Sequence, residues 1–219
     1  MVNLTALPAV IEYGAPVENI VLHHPSARPS VQVKHLASIG DTILVGYATC
    51  YNKAHTHKGR IEVFAKGAFG ESLKSPRSVA FLYGHSWANN HGSTTDGRLH
   101  LFEDNVGLAF ALRPSDSEAG RKLVGDVRAG RLRMSVGYEV EHQAEREVDG
   151  TRVTFVHQAL LREISAVPTP AVKETSIAAV SSKSFPGLRA ACQSGVMASY
   201  AAAATWERCH RRLLDALGS

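Results

Sequence analysis

Arg131-Leu132-Arg133-Met134-Ser135-Val136-Gly137-Tyr138-Glu139-Val140-Glu141 is the stretch that decides the fold. Leu132, Met134, Val136, Tyr138 and Val140 occupy alternate positions, so a strand gathers them on one face and turns Ser135 to the other, among arginines, glutamates and Gly137. A serine in such a place is ordinarily just a solvent-facing strand residue. Two features set this one apart. Gly137, on the same face two positions on, weakens a strand and marks close approach by another backbone or a ligand. Gly130 joins the strand tightly to whatever precedes it, which holds Ser135 rigidly.

What precedes it is a helix. Between Leu112 and Leu132 the period changes from two to about 3.6; Ala119, Leu123, Val124 and Val127 form one apolar stripe, Ser115 and Glu118 are spaced as a capping box, and Gly130 stands where a C-terminal cap belongs. Further out the pattern is of short strands, at residues 31–34, 42–49, 79–83, 131–142, 152–157 and 160–167, with Val167-Pro168-Thr169-Pro170 stopping the last. Residues 99–102 and 107–112 read as a hairpin turned at Glu103-Asp104-Asn105, and 66–73 as a short helix with Phe69 and Leu73 one turn apart. The first thirty residues carry Pro8, Pro16, Pro25 and Pro29 and read as an extended arm. Past Thr175 the chain turns small and polar, then Ala-rich. The expected organisation is an arm at 1–30, a β domain at 31–175, and a linker with a C-terminal helix at 176–219. The fold class is mainly β with peripheral helices (α+β), as a barrel or closely rolled sheet.

At 219 residues the chain suffices for one core. Cys50, Cys192 and Cys209 are odd in number and form no C-x-x-C arrangement, so neither a disulfide framework nor a cysteine zinc site is implied, and a reducing compartment fits best. No apolar run approaches the ~20 residues of a membrane span, and the N-terminus lacks the basic segment of a secretory signal, which together point to a soluble intracellular protein. The net charge of +4 is dispersed and aromatics are only 7%, so no nucleic-acid surface is expected.

Eleven histidines raise the question of metal or acid/base chemistry. His85 closes the apolar run Val79-Ala80-Phe81-Leu82-Tyr83 directly after Gly84, a position from which a fixed scaffold projects an imidazole into a cleft. A strand-end histidine satisfied by local hydrogen bonds fits the same pattern. His85, His91 and His100 match no standard metal-ligand spacing, and neither metal nor cofactor is expected. His23, His24, His55 and His57 lie in turn-rich stretches and read as surface residues. Glu163 falls in the otherwise apolar stretch Leu160-Leu161-Arg162-Glu163-Ile164-Ser165-Ala166-Val167, where a carboxylate must be paired. A histidine or an arginine such as Arg162 would satisfy it equally.

Taken together, these segments resemble the prohead (procapsid maturation) serine proteases of tailed bacteriophages, prophages and gene-transfer agents. The markers run from Gly46-Tyr47-Ala48 and Tyr51-Asn52 through Phe64-Ala65-Lys66-Gly67-Ala68-Phe69, Leu82-Tyr83-Gly84-His85, the stretch from Leu99 to Glu103-Asp104, and Gly107-Leu108. They continue through Gly130-Arg131-Leu132-Arg133-Met134-Ser135-Val136-Gly137-Tyr138 to Glu163-Ile164-Ser165-Ala166-Val167 and Pro170-Ala171. The resemblance implies a closed or nearly closed β-barrel like that of the herpesvirus maturational protease. It implies His85 as general base and acid, Ser135 as nucleophile in a Ser-x-Gly-[Phe/Tyr] motif, and Glu163 as the orienting acid, with Glu139 or Glu141 as alternatives. Arg133, Arg162 or backbone N–H groups near Val136 and Gly137 are candidate oxyanion donors.

Ser86-Trp87 and His91-Gly92-Ser93 depart from the family, many members of which carry Asp after the histidine and an Ile-Gly pair soon after. The implied substrates are the major capsid protein and its scaffold or delta region, with self-cleavage able to remove the C-terminal segment and self-association as a further option. The implied location is the cytoplasm of a bacterial host and the interior of the procapsid. A catalytically silent assembly scaffold or chaperone with the same barrel is the alternative.

Overall fold

The computed structural model describes residues 41–181. Among them run β1 (Thr42–Cys50), β2 (Ala54–His57), β3 (Arg60–Phe64), α1 (Gly70–Lys74), β4 (Ala80–Tyr83), β5 (Ser86–Ser93), β6 (Leu99–Glu103), β7 (Gly107–Leu112), α2 (Glu118–Arg128), β8 (Arg133–Val148), β9 (Thr151–Val167) and β10 (Ser176–Ser181). The class is mainly β with few helices, as the residue pattern predicts.

Two sheets form. The first has the order β10-β1-β7-β6, antiparallel throughout. β1 is buried at all nine positions, since it has a strand on each side and apolar clusters on both faces. That accounts for its continuous apolar run. The second sheet has the order β2-β3-β9-β4-β5, and β8 pairs with β9 outside that path. β9 is its spine: β8 runs antiparallel along one edge, while β3 and β4 run parallel to it on the other, opposite 153–156 and 163–166 respectively.

The main core draws Leu44 and Ala48 from β1, Phe110 and Leu112 from β7, Phe81 from β4, Met134 from β8, and Ile164 and Ala166 from β9. Leu123, Val124 and Val127 of α2 complete it. Each fully buried side chain of this size contributes about 1.5–3 kcal/mol by leaving water. Because side chains alternate, Phe81, Met134, Ile164 and Ala166 face this core while Glu163, Ser165 and Ser135 take the opposite face of the sheet.

Strand pairing among the described residues closes no barrel. The described strands form two hydrogen-bonded sheets around a shared core. Residues 131–142 were expected as a short strand, but β8 continues to Val148; the expected strands at 152–157 and 160–167 are one, β9. The two-residue turn Asp149-Gly150, with both φ positive, joins them as a tight hairpin. β10 lies in the stretch read as a linker and pairs with β1 from Thr42↔Ser181 to Tyr47↔Ser176.

The helix before β8 caps two residues later than the box spacing predicts. Ser117 is its N-cap and accepts from the Gly120 N–H, while Ser115 packs over Gly120, where a Cβ would lie 2.0 Å from the Ser115 carbonyl oxygen. At the other end Gly130, with φ +68, does act as the cap. Its N–H donates to the Val127 carbonyl and that of Arg131 to Asp126, a Schellman closure. The short helix expected at 66–73 is confined to Gly70–Lys74, because residues 65–70 make successive turns instead. The expected strand at 31–34, the N-terminal arm, the Ala-rich segment, His23, His24, Cys192 and Cys209 lie outside the described residues.

Candidate active site

β4 ends at Tyr83 and β5 begins at Ser86, leaving Gly84 and His85 as a two-residue turn. Both have positive φ, +66 and +58, the requirement of a type I′ hairpin turn. Glycine adopts this conformation freely; a histidine does so at some cost, which the surroundings must offset. They do so through hydrogen bonds to β9: the Gly84 N–H donates to the Ala166 carbonyl, and the His85 N–H donates to Ser165 Oγ at 3.2 Å.

The imidazole turns back over the sheet. His85 Nδ1 lies 2.8 Å from Glu163 Oε1, with the His85 side chain 47% exposed and that of Glu163 only 7%. A carboxylate so buried needs partners, and here His85 supplies one and Ser165 the other, its Oγ donating to Glu163 Oε2. Glu139 and Glu141 are engaged elsewhere. Glu139 receives both arms of the Arg162 guanidinium at 2.9 Å, and Glu141 accepts from Gln158. Arg162 therefore does not satisfy Glu163, and its fork is committed to the exposed side of the ribbon. Arg133 donates to the Leu132 carbonyl.

Ser135 reaches this pair through strand register. It stands opposite Ser165 in the β8–β9 ladder, and Gly137 stands opposite Glu163. Directly opposed residues place their Cβ atoms about 4.5–5.5 Å apart on one face. Ser135 is thus adjacent to the residue that touches both His85 and Glu163, although among the described residues no hydrogen bond joins its hydroxyl to the imidazole. Such bonds are commonly long until substrate is in place.

A strand hydroxyl, a half-exposed imidazole and a buried carboxylate on that imidazole are the kinds of group that a serine hydrolase uses. The family model described as caudovirus prohead serine protease matches residues 30–188. The chain belongs to that family. No curated protein matches it. The span that matches the prohead serine protease family contains both sheets and all three residues, His85, Ser135 and Glu163.

A close approach does occur at Gly137, but the approaching group is the Glu163 side-chain carboxylate and not another backbone or a ligand. A Cβ at 137 would lie 2.3 Å from Oε1. In the sequence Ser165, between Ile164 and Ala166, resembles any small core residue, and only the β4–β5 turn shows what its hydroxyl does. Trp87 is 64% exposed two residues after His85.

Several other histidines are not at the surface. His55 is buried and stacks on Phe64 at 4.9 Å, against the expectation of a surface residue, because β2 pairs with β3 and turns it inward. His91 and His100 are buried too. Burial lowers the pKa of His55, partly offset by Glu62, and burial followed by Lys122 lowers that of His91. Among the described residues no group of three or more His, Cys, Asp or Glu side chains could hold a metal ion.

Proposed function

We propose that this chain is an active serine endopeptidase of procapsid maturation, cutting the major capsid protein or its scaffold region, and itself, inside the shell assembled in a bacterial host. The observation that carries this reading is the His85–Glu163 contact, one strand register from Ser135. Family membership supports the substrate class. Among the described residues no helix is long and apolar enough to cross a membrane.

In the proposed reaction a peptide carbonyl lies over Ser135. His85 accepts the hydroxyl proton through Nε2 as Oγ attacks, then delivers it to the departing amine; water repeats the sequence to release the acyl group. Glu163, an acceptor at Oε1, keeps the proton on Nδ1 and so leaves Nε2 as base, and it stabilises the imidazolium formed during attack. Glu163 is the orienting acid in preference to Glu139 or Glu141, whose partners hold them on the exposed ribbon.

Co-expression with the cognate capsid protein tests this directly. Wild type should yield a shortened capsid chain by mass spectrometry, and Ser135→Ala should leave it full length. Cleavage undiminished in Ser135→Ala would refute the nucleophile. Absence of any cut by wild type, including self-cleavage, would favour the silent scaffold.

A further inference from the structure

We propose that Ser165 is a positioning residue of the active site, whose hydroxyl fixes the base and the orienting acid to each other. The inference rests on the serine protease reading above. Ser165 is fully buried, with no accessible surface, near the C-terminal end of β9. Apolar side chains fill most such positions. The hydroxyl there serves as both acceptor and donor: Oγ accepts the His85 backbone N–H at 3.2 Å and donates to Glu163 Oε2 at 2.5 Å.

The direction of these bonds follows from the groups themselves. A backbone N–H can only donate, so Ser165 Oγ must accept it. The single hydroxyl proton is then free for Glu163, whose carboxylate accepts at Oε2 from Ser165 and at Oε1 from His85. One hydroxyl therefore holds both the backbone of the positive-φ turn and, through its own proton, the carboxylate that this turn's side chain contacts. Closing that ring leaves the imidazole few ways to rotate. Removing the hydroxyl would free the carboxylate to swing and leave the His85 N–H, half-buried at the turn, without its acceptor.

Ser165 also stands opposite Ser135 in the ladder. It touches no reacting atom in the proposed mechanism, so its effect is exerted through His85 and Glu163. That distinguishes it from a merely space-filling serine, which alanine would replace with little consequence to chemistry.

The test uses the full-length protein and a fluorophosphonate probe, whose reaction reports nucleophile activation without needing a known cleavage site. The Ser135 Oγ–P bond forms, the P–F bond breaks, fluoride leaves, and the serine proton passes to His85. Two pairs of proteins are compared: wild type with Ser165→Ala, and Ser165→Thr with Ser165→Val, the second pair differing by a hydroxyl at nearly constant volume. In each pair the maximal labelling rate should fall roughly 10- to 100-fold on loss of the hydroxyl, with the probe concentration for half-maximal rate unchanged and Thr retaining most of the wild-type rate. Equal labelling rates within a pair of folded proteins, judged by circular dichroism, would overturn the role of Ser165. If Ser165→Ala fails to fold, the Thr and Val pair decides. A wild type that is not labelled at Ser135 overturns the serine protease reading itself, a result separable from equal rates across the variants.

Discussion

Gly137 lies directly across the β8–β9 ladder from Glu163, and the carboxylate fills the space that any side chain at position 137 would need. A Cβ there would stand 2.3 Å from Oε1 and 3.0 Å from Cδ. The atom in its way is the oxygen that meets His85, so the clash is relieved only by moving the carboxylate off the imidazole. Gly137→Ala should lower kcat about 100-fold, the scale expected for an ångström of misplacement, while the protein stays folded. Activity within a few fold of wild type would show that Glu163 need not sit where it does.

Glu163→Gln keeps the size of the side chain and removes its charge. It should lower kcat/KM by about 100- to 10,000-fold, since the amide no longer holds the imidazole in the required tautomer or stabilises its charged form. Glu139→Gln and Glu141→Gln, which lose only exposed partners, should stay close to wild type. Steady-state kinetics on a capsid-derived peptide separates the three.

Stability should respond to the buried histidines in mildly acidic solution. His55 and His91 have pKa values below the ordinary 6.5, so the unfolded chain takes up protons first as pH falls. The stabilisation they confer is full above pH 6.5 and is lost on descending toward their folded values, by at most about 1.4 kcal/mol per pH unit for each site. Glu103, whose buried carboxyl has a raised pKa, acts in the opposite sense. The measurement is therefore a difference: His55→Phe, which keeps the stack on Phe64, should lose less stability than wild type between pH 7 and pH 5.5 in urea titrations. An equal loss would place His55 outside the effect.

Cys50 provides a control on the identity of the nucleophile. Its thiol is buried, and burial above all pushes its pKa up to about 12. In a Cys192→Ser, Cys209→Ser background, iodoacetamide at pH 8 should modify Cys50 only after unfolding, and treatment of the folded protein should leave peptidase activity intact. Rapid alkylation of the native protein would contradict the burial.

Much of this structure is legible in the residues, and the exceptions have physical causes. Alternation in β8, the apolar run of β1 and the 3.6 period of α2 are local patterns, and all three elements form where those patterns lie. β5 shows no such pattern: Ser-Trp-Ala-Asn-Asn-His-Gly-Ser is mostly polar because it is an edge strand, and its pairing with β4 comes from the Gly84-His85 turn. β10 is small and half-buried, so its sequence resembles a linker until β1 offers an edge. At the site, alternation places Ser135 and a lone acid in an apolar run draws notice to Glu163. That Glu163 meets His85 and not Arg162 depends on the parallel register of β4 on β9, a long-range fact with no local signature. The same register gives Ser165 its two partners.

The most direct test of the central claim is to find which atom becomes nucleophilic. Wild-type protein treated with a fluorophosphonate and analysed by intact mass and peptide mapping should carry one adduct, on Ser135, and His85→Ala should carry none under the same conditions. An adduct on another residue, or an equal yield in His85→Ala, would contradict an active site built from Ser135, His85 and Glu163.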